Sequence, residues 1–484
     1  MKFKKIAALC LAAAMVVSMV GCGQKDNPSE STPAATNGAE STPAADDGST
    51  PADDESSQAP ESDLEGTLTI WTLAKDLETM ANKFMEENPG VKIEATIIEP
   101  ADYVTKTMTA ILGGDDTIDV IVGEPQMLQP MFEAGMFEDL DAMGAGDFKA
   151  DMVDYMLEVG QDADGVQRAI SYQICPSGFY YRRDIAKEVF GYDDPESVGK
   201  LFASYDTILE TAQTLKDAGY AIFASDGELS YMSGDSAWVI DGTLNVDQAR
   251  YDYMDLCVAL YQGGYTTYAS SWSSPWYAAM AGKVAFLTPD VNVWDENEVA
   301  EASENATETE VFAFGLPSWG VLTLRDNNGD DLETEEFEGT AGNWGVCSGP
   351  SYGFGGGTWL GISTLSHNKE LAWEFIKWVV ADIDTINWWI ETSQGDIPAY
   401  LPALEAHADD ENATYGGQKL FAFWLEQAEG IDYSKVTQYD TAIGDAWGAA
   451  ITTIKTKAGS QEEAIATFYD TVQSTYPEIT INRE

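Results

Sequence analysis

The stretch 66–141 constrains the fold most, because its apolar pattern changes period several times. Leu68–Trp71 and Val91–Ile97 have the patterns of strands, and helical spacing follows each of them. A third apolar strand then ends at Gly123, and a helix is predicted after Pro125. Short strands alternating with helices indicate an α/β sheet with helices on both faces. The residues predicted for the two buried helix faces are Leu77, Met80, Ala81, Phe84 and Met85, then Val104, Met108, Ile111 and Leu112.

The ends of these strands are the first place to expect a binding site. Ligands of parallel α/β sheets bind beyond the carboxyl ends of the strands. The residues in that position are Trp71–Asp76 after the first strand and Gly123–Gln126 after the third.

The order of elements resembles the first lobe of family 1 extracellular solute-binding proteins, the group that includes maltose-binding protein. An IWT strand end, a helix ending in ENPGVKIE, a GGDDTIDVIVGE strand and turn, and a segment ending in MFEDLD carry the resemblance. Similar segments continue in order to about Pro477. The resemblance implies a type II, two-lobed periplasmic-binding-protein-like fold. In that fold each lobe is a mixed, mostly parallel sheet flanked by helices, and several hinge crossings join the lobes.

The resemblance also suggests where the chain passes between the lobes. It places crossings at 175–178, in the glycine-rich return segment that begins at Gly353, and at 394–402. The implied division assigns residues 66–175 and 356–400 to lobe 1, and residues 176–355 and 401–484 to lobe 2.

The first 22 residues have the pattern of a targeting segment. Three lysines precede the apolar run Ile6–Val20, which is too short for a comfortable membrane span. The run closes at Gly21-Cys22 and resembles a bacterial lipoprotein signal in which Cys22 is lipidated, although Met19 stands where Leu, Val or Ile is usual. Ordinary secretion with cleavage nearby is the alternative. A lipid on Cys22 would hold the protein at the extracellular face of the cell membrane.

Residues 23–63 have the composition of a disordered tether. The sequence STPA occurs three times among acidic and small residues, and the segment has no aromatic or large apolar side chain. Such a segment has too little apolar surface to offset the entropy of ordering. We therefore expect an acidic Ser/Thr/Pro/Ala spacer between the lipid anchor and the folded part.

Charge excludes one class of partner. With 25 Lys and Arg against 82 Asp and Glu, the formal net charge is −57. A surface this acidic repels phosphate backbones, so no nucleic-acid partner is expected. The charge is mainly a solubility feature, and attraction of a cationic solute is the alternative.

The cysteines and an acidic loop are the candidate sites for cross-links and for a metal. Cys175, Cys257 and Cys347 are odd in number and far apart, which excludes a disulfide framework but leaves one bridged pair open. In the loop Asp326–Glu338, Asp326, Asn328 and Asp330 have the odd-position spacing of a calcium loop. However, Asp331 stands where that loop needs glycine and Phe337 where it needs glutamate. A solvated hairpin is the main expectation there, and no metal or cofactor is predicted.

The resemblance implies a monomer that captures a solute by hinge closure and delivers it to the permease of an ABC importer. Sugars need flat apolar area for their C–H faces and planar polar groups for their hydroxyls, which Trp, Tyr, Asp, Glu and Gln supply. We therefore predict a carbohydrate ligand. The predicted contact residues are Trp71, Lys75, Asp76, Glu124, Tyr172, Gln173, Trp238, Trp276, Asp290, Trp294, Trp359 and Trp447, with Trp272 as a weaker candidate.

Two other functions compete with sugar binding. A non-sugar solute such as a peptide, amino acid or polyamine is one alternative. A cleft with several tryptophans and one or two carboxylates would favour sugar, whereas a carboxylate cluster around one or two aromatic residues would favour an amine. A glycoside-acting enzyme is less favoured, because the pattern does not continue as an eight-fold barrel and no catalytic serine, cysteine or metal motif is evident.

Overall fold

In the computed structural model, residues 62–321, 323–324 and 343–483 are described. The targeting segment with Cys22, the tether up to residue 61 and the loop 326–338 lie outside these residues. The strands of the described part are, in chain order, β1 (Gly66–Thr72), β2 (Val91–Ile97), β3 (Val120–Gly123), β4 (Ile170–Ser171), β5 (Ser177–Arg182), β6 (Val239–Ile240), β7 (Thr243–Leu244), β8 (Val284–Ala285), β9 (Glu308–Thr309), β10 (Ala313–Pro317), β11 (Trp344–Cys347) and β12 (Trp359–Ile362).

Helices surround these strands along the whole described chain. Those with both ends described are α1 (Asp76–Glu87), α2 (Pro100–Leu112), α3 (Pro125–Glu133), α4 (Asp154–Val159), α5 (Arg183–Phe190), α6 (Pro195–Gly199), α7 (Tyr205–Ala218), α8 (Gln248–Gly263), α9 (Ser274–Ala281), α10 (Glu296–Ser303), α11 (Lys369–Ala381), α12 (Ile383–Ser393), α13 (Leu401–Ala406), α14 (Leu420–Glu429), α15 (Asp440–Lys455) and α16 (Gln461–Thr475).

The first sheet has five strands in the order β2-β1-β3-β12-β4. β1 pairs parallel with β2 and β3, which confirms the strand-helix alternation predicted for this stretch. β12, which arrives from far along the chain, pairs antiparallel with β3 and β4. The sheet is therefore mixed, and the carboxyl ends of β1 and β3 lie at the same edge.

The second main sheet has the order β10-β5-β11, and its three strands pair antiparallel. Parallel bridges join Ala221 to Val311 and Phe223 to Thr266. The expectation of a mostly parallel sheet is therefore wrong for the strands named here, because β5 is flanked on both sides by strands that run against it. Side chains of β5 alternate between two apolar clusters, with Phe179 and Tyr181 in one and Tyr180 in the other.

Helix periodicity predicted the buried face of α1 better than that of α2. Leu77, Met80, Ala81 and Phe84 are all buried in α1. In α2 the face is shifted by one residue, so that Tyr103 and Thr107 are buried and Leu112 is 61% exposed. The prediction is right for Ile111, and Val104 and Met108 pack partly buried against the core, but Tyr103 and Thr107 occupy the most buried positions and Leu112 is exposed. Tyr103 donates from its hydroxyl to the Trp71 carbonyl at 2.7 Å.

Two segments connect strands of the two main sheets, residues 172–176 between β4 and β5 and residues 348–358 between β11 and β12, and the segment predicted as a third crossing lies beside the first. Ile174 N–H donates to the Ile397 carbonyl at 2.8 Å, which joins the first crossing to the third. Ser177 N–H donates to the Gly353 carbonyl at 2.8 Å, and Gly355 N–H donates to the Cys175 carbonyl at 3.1 Å. The first crossing is thus the middle member of a three-segment ribbon.

The three cysteines in the described part of the chain form no disulfide with one another. Cys175, Cys257 and Cys347 are buried and free. The described residues contain no group of three or more His, Cys, Asp or Glu side chains that could hold a metal ion. Within the same residues, we find no helix with the length and apolar character needed to cross a membrane.

Asp119 fastens β1 to the turn before α11. Its carboxylate accepts from Thr69 N–H at 2.9 Å, Ser366 hydroxyl at 2.6 Å and Asn368 side-chain amide at 3.2 Å. The residue is 2% exposed. Removing the carboxylate would leave the buried Ser366 hydroxyl and the partly buried donors of Thr69 and Asn368 without their acceptor.

We expect Asp119→Ala to lower the free energy of unfolding by about 2–4 kcal/mol, because each orphaned buried donor costs about 1–3 kcal/mol. Urea denaturation followed by circular dichroism measures the change. Asp116→Ala is the matched control, because Asp116 is exposed and only pairs with His367 on the surface. That variant should stay within about 0.5 kcal/mol of the parent chain. Equal losses in the two variants would contradict this role for Asp119.

Candidate functional site

A cavity of about 1130 Å³ opens where the carboxyl ends of β1 and β3 face the second sheet across the crossing ribbon. We call it the cleft. Its lining residues come from the ends of the first sheet, from the crossings and from loops of the second sheet. They include Ala74, Asp76, Glu124, Gln126, Gln129, Glu133, Gln173, Tyr231, Trp272, Trp319, Phe354, Gly355, Gly356, Gly357, Thr358, Asp396, Tyr433, Thr437, Tyr439 and Asp440.

Two carboxylates stand at the strand ends of the first sheet. Asp76 begins α1 just after β1, and Glu124 is the residue before α3, just after β3. Burial raises the pKa of both carboxyl groups above their ordinary values, while hydrogen bonds from Tyr172 to Asp76 and from Gln126 to Glu124 oppose the shift. Both groups therefore offer poorly hydrated acceptors to a solute.

The crossings supply the floor of the cleft. Gln173 donates from its side-chain amide to the Thr358 hydroxyl at 3.2 Å, which joins two of the segments. Asp396, in the third crossing, is 4% exposed and accepts from the Trp389 indole at 2.7 Å. The floor thus presents amide, hydroxyl and carboxylate groups whose positions are fixed by neighbours.

Aromatic rings form the opposite wall. Trp272 is 42% exposed, and its ring centroid lies 5.5 Å from that of Trp319 at an interplanar angle of 32°. The Trp319 indole N–H donates to the Gly355 carbonyl at 2.9 Å, which fixes the second ring against the crossing. Tyr231 and Phe354 extend the wall.

Trp272 is held in an unusual backbone conformation. Its φ of 72° lies in the left-handed region, which is uncommon for a bulky residue. Such strain persists only where the surrounding structure imposes it, and it concentrates at functional sites. The strain and the exposure together distinguish Trp272 from the packed tryptophans of this chain.

Glycines in the second crossing let the aromatic wall approach the floor. A Cβ at position 355 would lie 2.3 Å from the Tyr231 ring, and a Cβ at position 356 would lie 3.0 Å from the Trp319 indole nitrogen. Gly356 also has a φ of 72°. Residues with side chains at these positions would push the rings out of the cleft.

Four of the candidates from sequence line the cleft, namely Asp76, Glu124, Gln173 and the weaker candidate Trp272. Tyr172 lies behind them, because its hydroxyl donates to Asp76 at 3.0 Å while its ring is 3% exposed. Trp71 packs partly buried against the core, and Lys75 is exposed at the start of α1; neither is among the lining residues. The strand-end argument thus identified polar residues that line the cleft but no aromatic one.

The prediction that Trp359 and Trp276 contact the solute is wrong, because both side chains are buried. Trp359 has 0% exposure inside β12, and its indole N–H donates to the Met156 carbonyl at 2.9 Å. Trp276 is 1% exposed, and its indole donates to Glu228 at 2.7 Å. Trp276 does lie under the wall, with its ring centroid 5.0 Å from that of Trp272.

The remaining four predictions also fall outside the cleft. Trp238 and Trp447 are packed against each other and Phe468 in the second apolar cluster, with exposures of 8% and 3%. Asp290 and Trp294 lie on an exposed loop before α10 and are not among the cleft residues. A solute in this cleft cannot stack on these rings.

Sequence reasoning missed Tyr231, Trp319, Phe354, Asp396 and Asp440. One signal was present, because Trp319 follows the end of β10 just as Asp76 follows β1. Asp396 falls inside the segment predicted as the third crossing, so a search for polar residues within the crossings would have found it. No local pattern marks Tyr231, whose place depends on glycines far along the chain.

The fold and the cleft define a two-lobed solute-binding protein. The chain matches the model of the bacterial extracellular solute-binding protein family over residues 79–416. Because the match spans most of the chain, the protein belongs to this family. No curated protein matches the chain significantly.

Solved structures of similar fold span nearly the same length. The galacto-N-biose-/lacto-N-biose I-binding protein from Bifidobacterium longum, in complex with lacto-N-biose, is 15% identical with a TM-score of 0.63, and the match covers 86% of this chain and 99% of that one. The ABC transporter associated binding protein from B. animalis subsp. lactis, in complex with β-1,6-galactobiose, is 18% identical with a TM-score of 0.63 and coverages of 87% and 100%. The sugar-binding protein MalE from Xanthomonas citri is 17% identical with a TM-score of 0.61 and coverages of 86% and 97%.

Glu228 is the buried acid that supports the aromatic wall. It is 2% exposed and accepts from the Trp276 indole and from Gly315 N–H at 3.0 Å. Burial raises the pKa of its carboxyl group to about 7. At pH values between the ordinary pKa of a glutamate and about 7, Glu228 is protonated more often in the folded state than in the unfolded state. The free energy of unfolding therefore falls as the pH rises through that range.

We expect Glu228→Gln to reduce this pH dependence. The glutamine does not titrate, so its unfolding free energy should change less between pH 5 and pH 8 than that of the parent chain. Urea denaturation at both pH values measures the difference. Glu296→Gln, at an exposed position in α10, should retain the slope of the parent chain. An unchanged slope in Glu228→Gln would contradict the raised pKa.

Proposed function

We propose that this protein captures a carbohydrate in the cleft by hinge closure and delivers it to the permease of an ABC transporter. The observation that carries the proposal is the exposed, strained Trp272 beside Trp319, opposite planar polar side chains. Flat rings suit the C–H faces of a sugar, and carboxylates and amides suit its hydroxyls. The similar proteins solved with lacto-N-biose and β-1,6-galactobiose give further support.

Binding without turnover is part of the proposal. The cleft residues include five carboxylates, but a carboxylate pair in a cavity serves recognition as well as catalysis. In the proposed role, the protein holds its solute chemically unchanged and then releases it to the permease. We therefore propose a binding protein that acts as a monomer with no cofactor.

A second candidate is a cationic solute without a sugar, such as a polyamine. The carboxylates of the cleft favour it, since the lining contains Asp76, Glu124, Glu133, Asp396 and Asp440. Two tryptophans, three tyrosines and a phenylalanine in the same lining favour sugar. The aromatic wall is the reason why we place carbohydrate first.

The proposed function also includes a division of the chain into two lobes and a lipid anchor. We propose that residues 66–175 with 356–400 form one lobe and residues 176–355 with 401–484 form the other. We also propose that Cys22 is lipidated and that residues 23–63 tether the lobes to the extracellular face of the membrane.

Trp272→Ala tests the aromatic wall. We expect the variant to bind the sugar identified by a thermal-shift screen at least about tenfold more weakly, equivalent to about 1.4 kcal/mol, because the stacking surface is lost. Isothermal titration calorimetry measures the affinity. Trp294→Ala is the control, because Trp294 is 55% exposed but lies outside the cleft. Full affinity in Trp272→Ala would remove this ring from the binding surface.

Cys22→Ser tests the anchor. We expect the parent chain to fractionate with membranes and the variant to appear in the soluble fraction, because one thioether-linked lipid group supplies the attachment. Immunoblotting of membrane and soluble fractions measures the distribution, and Cys10→Ser is the control within the same leader. Membrane association of Cys22→Ser equal to that of the control would refute lipid anchoring at this residue.

A further inference from the structure

A smaller cavity, which we call the chamber, adjoins the cleft. Its volume is about 290 Å³, compared with about 1130 Å³ for the cleft. Four residues line both cavities, which therefore meet at these side chains. The shared residues are Tyr231, Phe354, Val436 and Asp440. A solute that fills the cleft therefore lies next to the chamber.

The second crossing runs along both cavities. Its residues Tyr352 and Gly353 line the chamber, Phe354 lines both cavities, and residues 355–358 line the cleft. One continuous backbone segment therefore forms part of both walls, in the order chamber, boundary and cleft. This order makes the chamber an extension of the cleft, so that a linear solute laid along the crossing occupies both.

Tyr352 presents an aromatic ring in the chamber. In the described part of the chain three large aromatic side chains are exposed, and two of them, Trp272 and Tyr352, line these cavities. The Tyr352 side chain is 53% exposed and rests against Gly430, where a Cβ would lie 2.4 Å from the Cγ atom of the tyrosine. The backbone thus supports one side of the ring while the other side stays open. Such a ring offers flat apolar area and has little entropy to lose on binding.

The lining of the chamber is balanced in charge. It contains two cations, Arg250 and Lys435, and two acids, Asp432 and Asp440. Arg250 pairs with Asp247 at 2.6 Å, and Lys435 lies 3.8 Å from Asp432. Because these formal charges cancel, the lining offers an ion little to offset its loss of water, and a neutral group with hydroxyls fits the chamber better. The serine hydroxyls that complement those of a sugar come from Ser230, Ser233 and Ser236.

The volumes of the two cavities bear on the size of the solute. Sites for small molecules measure roughly 300–1,000 Å³. The cleft alone lies above that range, and the chamber alone lies at its lower end. A single sugar ring would leave most of this space to water, whereas a chain of several rings would fill it.

We propose that the solute is a neutral oligosaccharide that lies along the second crossing. Its inner sugar units stack on the wall formed by Trp272 and Trp319, and a terminal unit passes Tyr231 and Phe354 to stack on Tyr352 in the chamber. This inference rests on the carbohydrate function proposed above and adds the length of the solute to it. Tyr352 then determines specificity for length, because long solutes contact its ring and short ones end before they reach it.

Saccharide series of increasing length test the proposal in the full chain. Isothermal titration calorimetry is run with the β-1,4-linked glucose, xylose and mannose series and with the α-1,4-linked glucose series, each from one to five units. We expect the affinity in at least one series to rise about tenfold or more from the disaccharide to the tetrasaccharide, because the added units reach the chamber. The affinity should then level off, because further units extend beyond the two cavities.

Variants of Tyr352 assign the gain in affinity to the chamber. Tyr352→Ala should remove most of the gain of the tetrasaccharide and leave the affinity for the disaccharide within about twofold, because only the longer solute contacts the ring. Tyr352→Phe keeps the ring and should retain the gain. Because Tyr352 is exposed, its truncation should leave the fold intact. Trp294→Ala is the control, because Trp294 is exposed but lies outside both cavities.

The outcomes separate this inference from the proposed function. Monosaccharides or disaccharides that bind as tightly as the tetrasaccharide in every series that binds would overturn the inference and leave the carbohydrate function standing. Equal losses for the disaccharide and the tetrasaccharide in Tyr352→Ala, or no loss for either, would also overturn the inference alone. Absence of binding by every saccharide at millimolar concentration would refute the carbohydrate function itself, and the inference with it.

Discussion

The backbone pairing of the three crossing segments is the interaction on which the rest of the structure depends. Hydrogen bonds join Ile174 to Ile397 and Gly355 to Cys175, so the first crossing is held on both sides. A ribbon of paired segments can bend while its register is kept, because a few terminal residues absorb the change in dihedral angles. The same ribbon carries Gln173 and Asp396, so the floor of the cleft lies on the hinge itself.

The aromatic wall depends on the second sheet through a short series of contacts. Glu228 accepts from the Trp276 indole, the Trp276 ring lies against Trp272, and the Trp272 ring lies against Trp319. The buried Glu228 side chain thus fixes the Trp276 ring, which is itself not exposed to solvent. Trp272 is thereby held exposed and strained without flexible support, and an immobile ring loses little entropy on binding.

The sequence indicated the polar half of this site better than the aromatic half. Asp76 and Glu124 follow strands, and strand ends converge whenever a parallel sheet forms, so local pattern sufficed. Tryptophans follow no such rule, because the same residue type fills cores. Trp359 begins β12, and its burial follows from β12 lying between β3 and β4, a pairing across more than a hundred residues. Burial of that kind depends on tertiary contacts that no short window contains.

The arrangement of charge and rings also bears on which form the empty protein prefers. Four of the five carboxylates stand beside the first sheet or in the crossings, whereas Asp440 begins α15 and the rings stand mainly on the second sheet. Closure without a solute would bring apolar rings over carboxylates and remove water from them, which is unfavourable for ionised groups. If the lobes close as proposed, we infer that the open form is favoured when the cleft holds only water. A solute shifts the equilibrium between open and closed forms when it binds the closed form more tightly. Here the solute would do so by donating hydrogen bonds to carboxylates that would otherwise lose their water on closure.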